Sequence, residues 1–340
     1  MKAQLKPIEE QVVVVTGASS GIGLATARLA AKRGARVVLA ARSRSDLRRA
    51  VKRIRKEGGE ATYVVADVAE PAQVEKIAET ALNEYGALDT WVNNAGVSIY
   101  GRLQETPVED AQRLFETNYW GVVHGSVVAA RHLRETGGAL INVGSVASDR
   151  AIPLQGHYSA SKHAVKGFTD ALRMELEKDG APVSVTLIKP TSIDTPYTRH
   201  ARNLLEEKEP SVPPPVYSPR VVARAILHCC EHPKRELVVG GGGLMLSKMG
   251  KLSPRLTDRY MEATMFRQQK RDEPHKGARD TLHRSRKHGA EERGDYEGHV
   301  MRTSAYTGAR LHPLRTLLAL GALGVGALVV LGQGEGADGR

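Results

Sequence analysis

The chain has 340 residues, of which 41% are hydrophobic, 26% charged and only 4% aromatic. That balance excludes a disordered or collagen-like chain and leaves a core to be built from Val, Ile, Leu and Ala. The formal charge of +11 is dispersed over helix faces and over residues 267–310 without an aromatic-interleaved stripe, so it reads as solvated surface and a basic tail, with no nucleic acid as partner.

An apolar, β-branched run at residues 12–16 opens a regular alternation of patterns. Helical patterns over 21–33, 47–57, 71–85, 108–130, 158–178 and 219–228 separate strand patterns over 36–41, 61–66, 90–93, 139–143, 183–188 and 236–239. Strands that are apolar throughout, with helices between them, predict βαβ units and a parallel sheet covered on both faces. The expectation is an α/β fold: a doubly wound parallel seven-stranded sheet of Rossmann type over residues 1–265, with its ligand site at the carboxyl ends of the strands. Cys229 and Cys230 are neighbours, which makes neither a disulfide framework nor a metal site and places them on a helix in a reducing compartment. The polar, charged residues 1–10 do not read as a signal peptide.

Residues 266–313 are rich in Arg, Lys, His, Glu and Gly and read as a charged flexible linker. Residues 314–332 contain LLALGALGVGALVVL, close to the lower limit of about 17 apolar residues for a membrane span. They predict a transmembrane anchor followed by a short tail, 333–340. Arg310 and Arg315 flank the run, while the tail carries Glu335 and Asp338 against one Arg, so the catalytic domain is expected on the cytoplasmic side. The competing expectation is a soluble cytoplasmic protein whose tail folds over the active site or a partner subunit.

The segment TGASSGIG, Thr16 to Gly23, lies between the first strand and the first helix. Gly17, Gly21 and Gly23 allow a tight turn and a close backbone approach, and the helix N-terminus offers N–H groups to a pyrophosphate. The second strand ends VVLAARSR, with Ala41 where an acidic residue would hold a ribose 2′-hydroxyl and Arg42 next to it. A guanidinium matches a 2′-phosphate, so NADP(H) is expected ahead of NAD(H), with Arg44 assisting. Asp67, in ADV, would accept a hydrogen bond from an adenine amine or cap the following turn.

YSASK places Tyr158 and Lys162 four residues apart, on one face of a helix. A nearby ammonium favours the phenolate, which equips Tyr158 to exchange a proton with an alcohol or carbonyl oxygen. Ser145, thirteen residues before Tyr158 in VGSVAS, is placed to hydrogen-bond the substrate oxygen. The NNAG segment, residues 93–96, ends the fourth strand beside the cofactor site. Asn118, in TNYWG, lies mid-helix, where a backbone irregularity would hold a water for proton relay.

Over residues 8–245 the sequence resembles the short-chain dehydrogenase/reductase family: TGASSGIG, NNAG, Asn118, Ser145 and YSASK follow its signatures in order. The resemblance implies a catalytic tetrad of Asn118, Ser145, Tyr158 and Lys162, with Lys162 also binding the nicotinamide ribose. It implies cofactor contacts from Gly17, Ser19, Ser20, Gly21, Ile22, Gly23, Arg42, Asp67, Val68, Asn94, Ala95, Gly96, Tyr158, Lys162, Pro190, Ile193 and Thr195, the last at the carboxamide. One departure is KPTSIDT, where Thr191 replaces the family's usual glycine. The implied activity is hydride transfer between NADP(H) and a carbonyl or alcohol in a homodimer or tetramer. The alternative is a catalytically silent binding protein or membrane-tethered scaffold on the same fold. Specificity is expected from residues 196–216, Ser98, Tyr100 and residues 152–155; Tyr100, Leu154 and Tyr197 point to a lipophilic substrate.

Overall fold

The computed structural model describes residues 3–205, 208–274, 280–285, 290–313 and 316. Seven parallel strands form the central sheet: β1 (Val12–Thr16), β2 (Arg36–Ala41), β3 (Glu60–Val65), β4 (Thr90–Asn93), β5 (Gly138–Val143), β6 (Val183–Pro190) and β7 (Glu236–Val239). Their order is β7-β6-β5-β4-β1-β2-β3, so the winding reverses between β1 and β4, where a doubly wound sheet opens its crevice.

Period-two side-chain alternation explains why the strands are apolar throughout. Val13, Val15, Val37 and Leu39 face one core, with Leu24 and Ala27 of α1 (Gly21–Lys32), Leu47 of α2 (Arg44–Lys56) and Ile226 of α7 (Pro219–Glu231). Val12, Val14, Val38 and Ala40 face the other, with Ile77 of α3 (Pro71–Tyr85), Leu133 of α5 (Gly121–Thr136) and Leu176 of α6 (Gly156–Lys178). Each such Val, Leu or Ile contributes about 1.5–3 kcal/mol on burial. Cys229 and Cys230 are free, buried thiols of α7.

The helical pattern at 108–130 is interrupted. Helix α4 (Val108–Phe115) passes through one π-helical segment, Glu116–Trp120, before α5 begins. Asn118 lies in that segment, at the irregularity its helix propensity predicts.

Two helices were hidden from the hydrophobic pattern: α8 (Gly241–Leu252), which opens on three glycines, and α9 (Pro254–Gln268). The segment expected to be a flexible linker is also different in its described part. Lys270–Pro274 pairs antiparallel with Lys208–Pro210, Val300–Met301 pairs with Val216–Tyr217, and Ala305–Leu311 forms α10. The reason is charge complementarity: Arg271 pairs with Asp295 at 3.0 Å, and Arg293 with the buried Asp194 at 2.8 Å. Composition counts such charges as solvated, whereas Arg271, Arg293 and Asp295 have fixed partners. The expected transmembrane run, 314–332, lies outside the described residues except Thr316, and no helix among the described residues is long and apolar enough to cross a membrane.

A buried ionic cluster ties these later helices to the sheet. Asp149 binds Lys189 at 2.5 Å, Lys166, and the Ser247 hydroxyl of α8 at 3.0 Å. Burial opposes its charge, yet the hydrogen bonds from Lys166, Lys189 and Ser247 win and draw its pKa from 3.8 to about 2. A depressed folded pKa contributes stability above pH 3.8 that is lost as pH falls towards about 2. Asp149→Asn leaves Lys189 buried with only Glu236, and is expected to destabilise the fold by about 3 kcal/mol at pH 7. Denaturant melts across pH should show the two proteins converging in that acid window, and a constant gap would contradict the assignment.

Candidate active site

The crevice at the β1–β4 reversal is a cleft of about 540 Å³. Its floor is set by the loop after β1. Gly17 has φ +63°, and a Cβ there would lie 2.7 Å from the Ala95 Cα; a Cβ on Gly23 would lie 2.4 Å from the Gly17 oxygen. No side chain fits either position, so the backbone strands pack closely at the α1 N-terminus, where the Gly21 amide donates to the Glu291 carbonyl at 2.9 Å. Asn94 locks this arrangement: its Nδ2 donates to the Thr16 oxygen at 2.9 Å, while the Thr16 hydroxyl accepts from the Asn94 and Ala95 amides at 3.0 and 3.1 Å.

Gly17, Ser19, Ser20, Gly21, Ile22, Arg42, Asp67, Val68, Asn94, Ala95, Gly96, Ser145, Tyr158, Lys162, Pro190, Ile193 and Thr195 all line the cleft. Gly23 and Asn118 stand behind its wall, and Arg44 is exposed on the first turn of α2. Asn93 faces inward: its amide donates to Asn142 at 2.9 Å and its Oδ1 accepts from the Trp91 indole at 2.7 Å, a chain that continues to Thr169.

Asn118 is fully buried. Its Oδ1 accepts from the Val97 amide at 2.8 Å, and its Nδ2 donates to the Val97 oxygen at 3.0 Å and to Ser161 at 3.2 Å. Its side chain therefore splints the strand end to α6.

Ser145 lies two residues beyond β5 and caps a short turn, its hydroxyl accepting from the Ala147 amide at 3.1 Å. Tyr158 and Lys162 project from α6, with the Lys162 Nζ 5.7 Å from the Tyr158 ring centre. Lys162 is 4% exposed and donates to the Val143 oxygen at 2.8 Å. Burial pulls its pKa down to about 8. Tyr158 departs from expectation. Burial raises its pKa above the ordinary tyrosine value, outweighing hydrogen bonds with Ser145 and Tyr197 that lower it. Desolvation, which penalises the phenolate directly, decides the direction, and not the Lys162 ammonium expected to favour the phenolate.

Tyr197 is the residue whose place beside the Tyr158 ring the sequence alone does not show. Its ring meets that of Tyr158 edge-on at 5.7 Å, and its hydroxyl donates to Gln155 at 3.0 Å. Gln155 in turn donates to Gln269 at 2.6 Å, linking the end of α9 to the site. Tyr100, Leu154, Ala201 and Leu205 form an apolar cluster with Tyr197 and Phe266, and Met245, Met249 and Met265 add to the lining. Thr191 is accommodated by glycines opposite it: a Cβ on Gly240 would lie 2.2 Å from its Oγ1, and one on Gly243 would lie 2.5 Å from its Cγ2.

The sequence profile described as short chain dehydrogenase matches residues 11–205. The chain is 44% identical over 315 residues to the uncharacterized oxidoreductase YxnA of Bacillus subtilis, covering 92% of this chain and 88% of that one. A short chain dehydrogenase/reductase from Burkholderia phymatum, solved in complex with NAD, superposes with a TM-score of 0.67 at 28% identity, over 74% of this chain and 96% of its own. An alcohol dehydrogenase from Thermococcus sibiricus, complexed with 5-hydroxy-NADP, superposes with a TM-score of 0.59 at 28% identity, over 67% and 95%.

A buried ammonium is a liability to the fold on its own. Since its folded pKa is lowered, the unfolded state binds more protons between pH 8 and 10.5, and the penalty is full below that window and fades through it. Lys162→Met is expected to stabilise the ligand-free protein by roughly 2 kcal/mol at pH 7, with the gain vanishing by about pH 10.5. Thermal melts over that range check it, and a variant less stable at pH 7 would contradict it.

Proposed function

Because the chain belongs to the short chain dehydrogenase family, we propose that it is an oxidoreductase moving a hydride between NADP(H) and the carbonyl or alcohol carbon of a lipophilic substrate. The observation that carries this reading is the convergence of the Ser145 and Tyr158 hydroxyls and the buried Lys162 ammonium on one wall of the cleft, beside the glycine loop. The residues fit a dinucleotide. The glycines leave a cradle that any Cβ would fill, and Lys162 keeps ammonium donors beyond its bond to Val143 for a ribose hydroxyl.

When bound, the nicotinamide supplies or accepts the hydride at its C4. The chain supplies position and charge. Ser19, Ser20, Gly21 and Ile22 would hold the pyrophosphate, Arg42 the 2′-phosphate, Asp67 and Val68 the adenine, and Pro190, Ile193 and Thr195 the nicotinamide. Ser145 donates to the substrate oxygen and fixes its distance from Tyr158. In reduction Tyr158 gives its hydroxyl proton to that oxygen; in oxidation it takes the proton back. The raised Tyr158 pKa keeps it protonated and suits it to the donor role, while the Lys162 ammonium stabilises the phenolate left behind. Asn118 is a positioning residue whose π segment leaves the helical ladder irregular enough to seat a relay water. The tyrosine, leucine and methionine lining supports a lipophilic substrate, since flexible Met side chains adapt to irregular apolar shapes. Exposed Val108, Trp120 and Val127 on α4–α5 supply the face on which a second copy would pack.

Tyr158→Phe keeps the ring and removes the proton. It is expected to leave the NADPH Kd unchanged and to lower kcat about 100- to 10,000-fold on a panel of apolar ketones. Near-normal turnover would place the acid elsewhere. Arg42→Ala is expected to weaken NADPH by about tenfold or more through loss of a charge-assisted contact, and to leave NADH unchanged. Calorimetric Kd values for both dinucleotides check this, and equal losses would refute the 2′-phosphate role.

A further inference from the structure

Arg42 is already engaged. Its Nη1 donates to the Leu282 carbonyl at 3.1 Å and its Nη2 donates to the Thr281 carbonyl. Both terminal nitrogens, the fork that would grip a phosphate bidentately, therefore hold the backbone of residues 280–285, a strap from the C-terminal segment. Arg113 supports the same clasp: its Nε donates to the Leu282 carbonyl at 3.4 Å, and it pairs with Asp67.

The strap is a built element. Leu282 is fully buried in a cluster with Val97, Ile99 and Leu114, against which the Tyr158 ring also packs. Asp280 caps the Leu282 amide at 3.1 Å and pairs with Arg202 at 3.2 Å. His283 meets Asp110 at 2.7 Å, and the Thr281 amide donates to the His200 carbonyl at 2.9 Å. Thr281 and Ser285 line the cofactor cleft beside Arg42 and Ser43.

We propose that this strap sets the cofactor preference: the Thr281 and Leu282 carbonyls and a dinucleotide's 2′-phosphate compete for the same Arg42 guanidinium, so the clasped strap favours NAD(H) and its release favours NADP(H). The proposal rests on the reading of Arg42 as the 2′-phosphate residue. The two carbonyls take one N–H from each terminal nitrogen of Arg42, so an incoming phosphate meets a guanidinium with its fork partly spent and two carbonyl dipoles beside it; the phosphate is the stronger acceptor because it is charged. Binding NADP(H) then includes the work of opening the clasp, whereas NAD(H) has a hydroxyl there and leaves the clasp closed. A separate contact of the C-terminal segment, outside the strap, serves as an internal control. The Gly21 amide donates to the Glu291 carbonyl at 2.9 Å, at the pyrophosphate end of the cleft. Pyrophosphate is common to both dinucleotides, so that contact weakens both alike and cannot discriminate.

The test measures Kd for NADPH and NADH by calorimetry on the full chain, on Asp280→Ala and Leu282→Ala, and on each combined with Arg42→Ala. Hydrogen exchange at residues 280–285 reports the clasp directly. In the unmutated protein, NADPH should raise exchange at 280–285 and NADH should not, a readout that needs no variant. Asp280→Ala and Leu282→Ala should raise that exchange, tighten NADPH about tenfold and leave NADH within about twofold. Arg42→Ala should abolish the gain, as competition for one group requires. Raised exchange with NADPH affinity unchanged, or with both dinucleotides shifted equally, overturns the proposal while leaving Arg42's role intact. An NADPH-to-NADH ratio indifferent to Arg42→Ala in every background overturns the underlying reading, and the proposal with it.

Discussion

The site depends on one close approach, that of the β1–α1 turn to the end of β4. The winding reverses between these neighbouring strands, so the chain leaves them towards opposite faces and a crevice opens between the two departures. The crevice has a fixed shape only because Thr16 gathers the Asn94 and Ala95 amides onto its hydroxyl and because Gly17 carries no Cβ. A side chain at Gly17 would separate the two ends and with them every group mounted beyond. Asn118 extends the same bracing to α6 through Val97 and Ser161, and so to the helix that carries Tyr158 and Lys162.

That scaffold holds groups which do not favour the fold. Lys162 is buried with its ammonium on the Val143 carbonyl, and burial raises the Tyr158 pKa and favours its neutral form. Under the proposed function both become assets, Lys162 towards a ribose hydroxyl and Tyr158 towards a substrate oxygen, because each interaction is stronger where water is excluded. The rigidity that tolerates them comes from elsewhere, chiefly the two apolar cores and the Asp149 cluster that binds β6, α6 and α8 together.

Much of this was legible in the sequence because it is local. A sheet buried on both faces must have strands apolar throughout, and Val12–Thr16 or Val183–Pro190 can hardly be read otherwise. The glycine turn and the Tyr158–Lys162 pair are also short-range, and mid-helix Asn118 announced its π segment. What escaped is long-range. Thr191 looks like a departure from the family until Gly240 and Gly243 are found opposite, giving up the volume it takes. Tyr197, Gln155 and Gln269 form one chain across more than a hundred residues of sequence. Leu282 is a single apolar side chain in a charged stretch, and its neighbours' charges are matched by Arg202 and Asp110 far upstream. Composition reports such a stretch as solvated because it counts charges and not their partners.

The central claim is that a hydride passes directly between cofactor and substrate in this cleft, with Tyr158 handling the proton. The most direct measurement is isotope transfer from NADPH deuterated at the nicotinamide C4 position that is transferred, with an apolar ketone in ordinary water and the product alcohol read by mass spectrometry and NMR. The account predicts one deuterium on the carbinol carbon for each NADP formed, and a solvent-derived proton on the oxygen. Oxidised cofactor accumulating with the deuterium released to water, or an alcohol carrying hydrogen from solvent at that carbon, would contradict it.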